Sequence, residues 1–164
     1  ESSYFFSRLG GNWGWATWRT EWQRYDRHLG KWPELKRAGM LSEVFEEPAT
    51  AAFWTRIFDD MYENKGRNAW DYQWLYTNLK NNALTIIPRV NLVTNIGFGP
   101  GATHTAGTDP RLTPPAVTMT FPLIHPYSFV PLRTMDRHFQ ALFAEPLTRR
   151  ILRGIRHVVG RLVG

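Results

Sequence analysis

Asp71 is the residue of this 164-residue chain best placed to move a proton. It follows Trp70 and opens a segment with helical spacing, where the positive end of a helix dipole favours the ionised carboxylate. A carboxylate in that setting can take the proton of a hydroxyl nucleophile. It can also simply cap the helix, and its position alone leaves both roles open. His104 follows a glycine-rich loop, Gly97-Phe98-Gly99-Pro100-Gly101, and is flanked by Thr103 and Thr105. That setting suits a ligand or a diphosphate contact, and equally a loop histidine bonded to nearby backbone. Backbone N–H groups of the loop could approach a phosphate, but it has no Walker lysine and does not match the dinucleotide fingerprint. Trp13, Trp15 and Trp18 offer aromatic faces of the kind that pack on the C–H faces of sugar rings, or else they are core. Gly14 lets the backbone pass close between two large rings. Arg19 either pairs with an anionic group or belongs to a solvated face.

These residues need elements to hold them. Ser2 to Asn12 reads as a short aromatic strand or loop ending at the Gly10-Gly11 turn. A polar, helix-compatible stretch runs from Trp18 to about Leu29, and Pro33 and Gly39 punctuate short helical turns after it. Phe53, Trp54, Ile57, Phe58 and Met61 recur at helical spacing and predict a core-facing helix. Thr50 is its expected cap and Gly66 its expected end. A second helix is predicted from about Trp70 to Leu79, with Asn68 as a cap and Asn81-Asn82 as a left-handed exit. Leu84 to Val93 reads as a strand pair or an edge strand broken at Pro88, and Val117 to Phe121 alternates as a strand does. Two helical segments follow, about Thr134 to Phe143 and Pro146 to Leu162. The fold class expected is α/β, seen in this stretch as α+β, with more helix than strand.

Composition narrows the partners. Hydrophobic residues make up 43% and charged residues 21%, the balance of a globular domain with a real core. Net charge is +6, which favours anionic partners. The basic residues do not interleave with aromatics in an RNA-binding pattern, so nucleic acid is not expected. With no cysteine, disulfides and thiolate metal sites are excluded. No apolar run has the length of a membrane-spanning helix, and no signal peptide is visible. A first residue of Glu rather than Met points to a fragment or a processed chain.

Three blocks in order carry a family resemblance. They are Ser7-Arg8 with Trp13-Gly14-Trp15-Ala16-Thr17-Trp18-Arg19, Trp22 and Tyr25-Asp26; then Trp70-Asp71-Tyr72-Gln73-Trp74; then Pro88, Asn91-Leu92-Val93 and Asn95-Ile96-Gly97-Phe98-Gly99 through Ala102-Thr103-His104-Thr105. Together, over roughly Tyr4 to Pro126, the chain resembles the C-terminal, acceptor-side part of bacterial family 2 glycosyltransferases of the GT-A fold. The resemblance implies a sugar transferred, with inversion, from a nucleotide-sugar donor to a carbohydrate or lipid-linked acceptor. Asp71 would be the catalytic base, and Trp13, Gly14, Trp15, Trp18, Trp70 and Gln73 would line the substrate site. His104 would help to hold a divalent metal, Mn or Mg, in the complete enzyme.

The chain departs from that family at its N-terminal side. A βαβ nucleotide-binding region and an Asp-x-Asp metal motif are both missing, and Asp59-Asp60 lies inside an amphipathic helix and does not replace the motif. The polypeptide alone is therefore expected to be inactive, as part of a longer or split enzyme that needs an N-terminal nucleotide-binding half. Residues 1–126 are read as the acceptor-side part of the catalytic domain and 127–164 as a helical, basic, amphipathic extension. In that extension Leu147, Ile151, Ile155, Val158, Val159 and Leu162 form an apolar stripe among Arg149, Arg150, Arg153, Arg156, His157 and Arg161. This is the composition of a helix lying on an anionic membrane surface, or of a terminal helix packed on the domain. The expected location is cytoplasmic, peripheral on the inner face of the membrane. The alternatives are a non-catalytic carbohydrate- or partner-binding module and a membrane-associating protein acting through its tail.

Overall fold

The computed structural model describes residues 1–64, 70–94 and 114–143. Along the chain these form β1 (Tyr4–Ser7), α1 (Arg19–Trp22), α2 (Trp32–Arg37), α3 (Met40–Val44), α4 (Pro48–Glu63), α5 (Asp71–Lys80), β2 (Thr85–Pro88) and α6 (Arg133–Phe143). The described residues make a small, mostly helical α+β domain with two short strands. His104, the glycine-rich loop, Gly66, Asn68 and the basic tail lie outside them.

The core follows from the helical stripe of α4. Trp54, Phe58 and Met61 are buried, and Phe53 and Ile57 pack against them. Packing on α5, with Trp54 against Tyr72 and Phe58 against Tyr76, then brings Leu75, Tyr76 and Leu79 into the same cluster. Trp32 of α2 stands edge-on to Phe58 and to Tyr76, with ring centroids 5.3 and 6.2 Å apart, the geometry favoured by ring quadrupoles. Its indole N–H donates to Asp59 Oδ1 at 3.0 Å, and the same carboxylate pairs with Lys36. Asp59 is thus a structural partner within the helical layer. The other core indole, Trp54, donates to the amide oxygen of the buried Gln140 at 2.8 Å and so fastens α6 to α4.

Helix boundaries depart from expectation where the backbone offers a better solution. The start of α4 is Pro48, whose lost N–H is one of the unbonded donors of a first turn anyway, and Glu47 occupies the cap. Thr50 therefore lies inside the helix and is not its cap. The stretch from Trp18 to Leu29 is helical only over α1. Beyond it the Asp26 carboxylate accepts the N–H groups of His28 and Gly30, and Leu29 takes a φ of 51° with its side chain fully buried. Local side-chain bonding of this kind competes with helix continuation. At the other end of α5, Asn82 takes the expected left-handed conformation, φ 52°, and Ala83 N donates back to Asn78 O.

β1 and β2 pair antiparallel from Tyr4↔Pro88 to Ser7↔Thr85, and the strand stops at Pro88 as its missing donor requires. Val117 to Phe121 is not a strand. Among the described residues its one backbone bond of the ladder type runs from Val117 N to Asn91 O, and Val117 and Phe121 face solvent. Alternation there reflects two polar threonines, not a paired edge. The chain after residue 126 returns to β1, where Pro131 bridges Phe6 and Leu132 N donates to Phe6 O. Asp136 of α6 then accepts from Ser7 Oγ and from Arg8 N.

Candidate functional site

Two helices and one glycine turn assemble a wall of aromatic rings. Gly14 has a φ of 60°, and a Cβ built there would stand 2.4 Å from Val93 Cγ2. Both the backbone conformation and the contact exclude a side chain at this position. Val93 is itself set by Asn91, whose amide bonds Val93 O at 2.9 Å and Pro114 O at 2.7 Å. Beyond this turn Trp15 stacks on Trp70, centroids 5.1 Å apart and planes at 30°. It also meets Trp22 at 5.8 Å and Trp74 at 5.6 Å. Trp22 in turn lies flat on Tyr25, at 4.8 Å and 7°.

The five rings come from separate segments held together by polar staples. Trp70 and Trp74 share a face because they are four residues apart at the start of α5. Trp22 and Tyr25 are held over Trp74 by Asp26, whose N–H donates to Thr77 Oγ1 at 3.0 Å and whose carboxylate receives Lys80 Nζ at 2.9 Å. Burial by itself would raise the pKa of Asp26. The Lys80 hydrogen bond, the N–H groups of Gly30 and His28, and the Lys80 charge outweigh it and hold the carboxyl below its ordinary value. A depressed folded value stabilises the fold above the unfolded value near 4, and that contribution is lost as pH falls through the folded one. Asp26→Asn should therefore flatten the acid limb of stability below about pH 5, read as the urea midpoint at successive pH values. Parallel curves for variant and wild type would exclude Asp26 from acid unfolding.

Asp71 borders this wall. It occupies the first turn of α5, half-buried, while the cap position belongs to Trp70. Its hydrogen bond to a described residue comes from Asn12 Nδ2, at 3.3 Å on Oδ2, not from the N–H groups of its own helix. Its negative charge is felt by rings on two sides. Burial raises the pKa of both Tyr25 and Tyr72, and the Asp71 charge raises each further, opposed at Tyr25 by Arg27. A carboxylate held this way, with rings beside it, can orient and deprotonate a hydroxyl on a ligand lying across the wall.

The other expected site residues divide. Trp15, Trp70 and Gly14 are brought together with Asp71's neighbourhood, whereas Trp13 and the 69%-exposed Trp18 stand outside the five-ring cluster. Gln73 is 0% exposed. It is buried with Thr77 beside Trp70 and Trp74, since residues 70, 73, 74 and 77 share one helical face. Trp22, Tyr25, Trp74 and Asn12 were not singled out as site residues from sequence. Trp74 has a local signal, its four-residue spacing from Trp70 on one helical face, whereas Tyr25 lies beyond α1 and Asn12 in a loop, where no periodicity places them. Among the described residues no three His, Asp or Glu side chains converge to hold a metal ion, and His104 lies outside them.

A separate cleft of about 340 Å³ opens between the α3–α4 turn and α6, lined in part by Arg8, Glu46, Glu47, Thr50 and Arg137. Arg133 pairs with Glu46 and Arg137 with Glu47 in its wall, Arg8 donates to Asn82 Oδ1 at 3.2 Å, and the cleft shares no residue with the aromatic wall. Comparison of the chain with family models, curated proteins and solved structures yields no match.

Proposed function

We propose that the chain is the acceptor-side part of a family 2, GT-A-type glycosyltransferase, in which Asp71 is the base and the aromatic wall receives the acceptor sugar. What supports this most is the setting of Asp71: an uncapped, half-buried carboxylate at a helix start, oriented by Asn12 beside stacked Trp15 and Trp70. In the reaction, Asp71 takes the proton of an acceptor hydroxyl as its oxygen bonds to the anomeric carbon of the donor. The bond from that carbon to the nucleoside diphosphate breaks, with inversion. Nucleotide recognition falls to a nucleotide-binding half, and the isolated chain does not turn over. The test is initial transfer rate with that half supplied, for wild type beside Asp71→Asn. A folded variant with undiminished rate would remove Asp71 from the mechanism.

The reading includes a lipid-facing location at the inner face of the membrane, on the strength of the arginine-rich apolar stripe after Leu147. Anionic vesicles should then bind the chain and release it at high salt. Deletion after Glu145 should abolish the binding, and equal binding by the truncated chain would show that the tail is not the anchor.

A further inference from the structure

Gln140 is only 9% exposed, yet just one half of its amide is used. The oxygen accepts the Trp54 indole N–H at 2.8 Å, and because an indole nitrogen only donates, this bond fixes which way the amide points. Nε2 is therefore a donor, and it meets no acceptor among the described residues. Gln140 lines the cleft of about 340 Å³ between the α3–α4 turn and α6. Asp136 lines it too, and takes Ser7 Oγ and Arg8 N both on Oδ1, which leaves Oδ2 for a further donor. The two residues are four apart on α6, so one face of that helix presents a donor beside an acceptor. From α4 comes Thr50, whose hydroxyl also has no partner among the described residues. Unused hydrogen-bonding groups converging on one concave surface, one of them nine-tenths buried, mark a place for a polar ligand.

The charges of the cleft limit which polar ligand fits. Three arginines and four carboxylates line it, so the lining is close to neutral. Arg133 is paired with Glu46, and Arg137 with Glu47 and, at 3.7 Å, with Glu46. A charged ligand would displace one member of such a pair and leave the other uncompensated. A hydroxyl does not. It donates to a carboxylate and accepts from a guanidinium at once, and both groups have capacity beyond one ion pair. Leu9, Val44, Phe45, Val130 and Pro131 line the remainder and suit the C–H groups between hydroxyls. The volume lies near the lower end of ligand pockets, about 300–1,000 Å³, and so suits one small molecule. The α6 wall is also held in place from behind, by Leu132 N on Phe6 O, Asp136 on Ser7 and Gln140 on Trp54.

We propose that this cleft binds an uncharged, polyhydroxylated ligand of monosaccharide size. Gln140 Nε2 donates to one ligand oxygen, Asp136 Oδ2 accepts from a ligand hydroxyl, and the Thr50 hydroxyl does either. The cleft shares no residue with the aromatic wall, so its ligand is independent of the glycosyltransferase reading.

The side-chain amide signals of Gln140, in NMR spectra of the intact labelled chain, read the site directly. The probes are D-glucose, D-galactose and D-mannose, each titrated over the millimolar range. At least one should shift these signals saturably, while acetate and methylammonium should not. Thr50→Val keeps the shape of the side chain and should raise the Kd about three- to tenfold, the worth of one hydrogen bond. Gln140→Glu keeps an acceptor for Trp54 but loses the N–H donors. Followed through the Thr50 backbone amide, it should weaken binding at least as much, and the Trp54 indole signal shows that the staple persists. Trp70→Ala removes a ring of the aromatic wall and should leave the Gln140 shifts unchanged. No saturable shift with any of these sugars, or a response to either ion instead, would overturn the proposal. So would an unchanged Kd in folded Thr50→Val, or loss of the shifts in folded Trp70→Ala, which would put the sugar on the wall.

Discussion

Asp71→Asn, assayed with the nucleotide-binding half supplied, is expected to lower the transfer rate by roughly a hundred- to ten-thousand-fold, the usual share of general base catalysis. In barrier terms that is about 3–5 kcal/mol. The variant preserves volume and can still accept the Asn12 hydrogen bond, now through an amide oxygen. What it cannot do is hold a proton at neutral pH. Because Asp71 does not bond its own helix's N–H groups, the cost to stability is confined to its charge at the helix start, about 0.3–1 kcal/mol. A helix-capping role would reverse the balance, with a clear stability loss and almost normal turnover. Rate and thermal midpoint measured side by side separate the two. Nearly unchanged donor binding alongside the rate loss would place the defect in the chemical step.

Phe58→Ala is expected to cost about 3–5 kcal/mol, as large-to-small changes do when the neighbours cannot collapse into the space. Phe58 is fully buried and touches rings on three sides, Trp32, Trp54 and Tyr76. Trp32 and Trp54 are tied at their indole N–H groups to Asp59 and Gln140, so neither ring can slide inward without breaking a bond. Domains of this size retain only about 5–15 kcal/mol in all, so the variant should be largely or wholly unfolded near 37 °C. Phe58→Leu, which keeps most of the volume, should recover much of the loss. The urea midpoint of both variants checks this, and a loss below about 1 kcal/mol for Phe58→Ala would mean the core is loosely packed.

The sequence by itself determined the helical layer. The recurrence of Phe53, Trp54, Ile57, Phe58 and Met61 at 3.6-residue spacing can bury itself only as one helix face, and that is α4. Pro88 had to end its strand because it has no donor, and Asn82 was free to turn left-handed at the end of α5. Asp71 at a helix start was legible for the same reason, since local spacing and the dipole are properties of one segment. Tertiary structure alone decided what surrounds it. Nothing local sets Trp22 and Tyr25 over Trp74; the Asp26 bonds to Thr77 and Lys80, more than fifty residues away, do so. Nor does local pattern mark Gln73 as buried, because it shares the i, i+3, i+4, i+7 stripe of Trp70, Trp74 and Thr77, which only distant segments cover. Val117 to Phe121 alternates like a strand yet forms no ladder among the described residues beyond the Val117 N bond to Asn91 O, for a strand exists only through its partner. Periodicity reports which face of a segment is apolar, whereas contact between distant segments depends on how those faces are oriented in space.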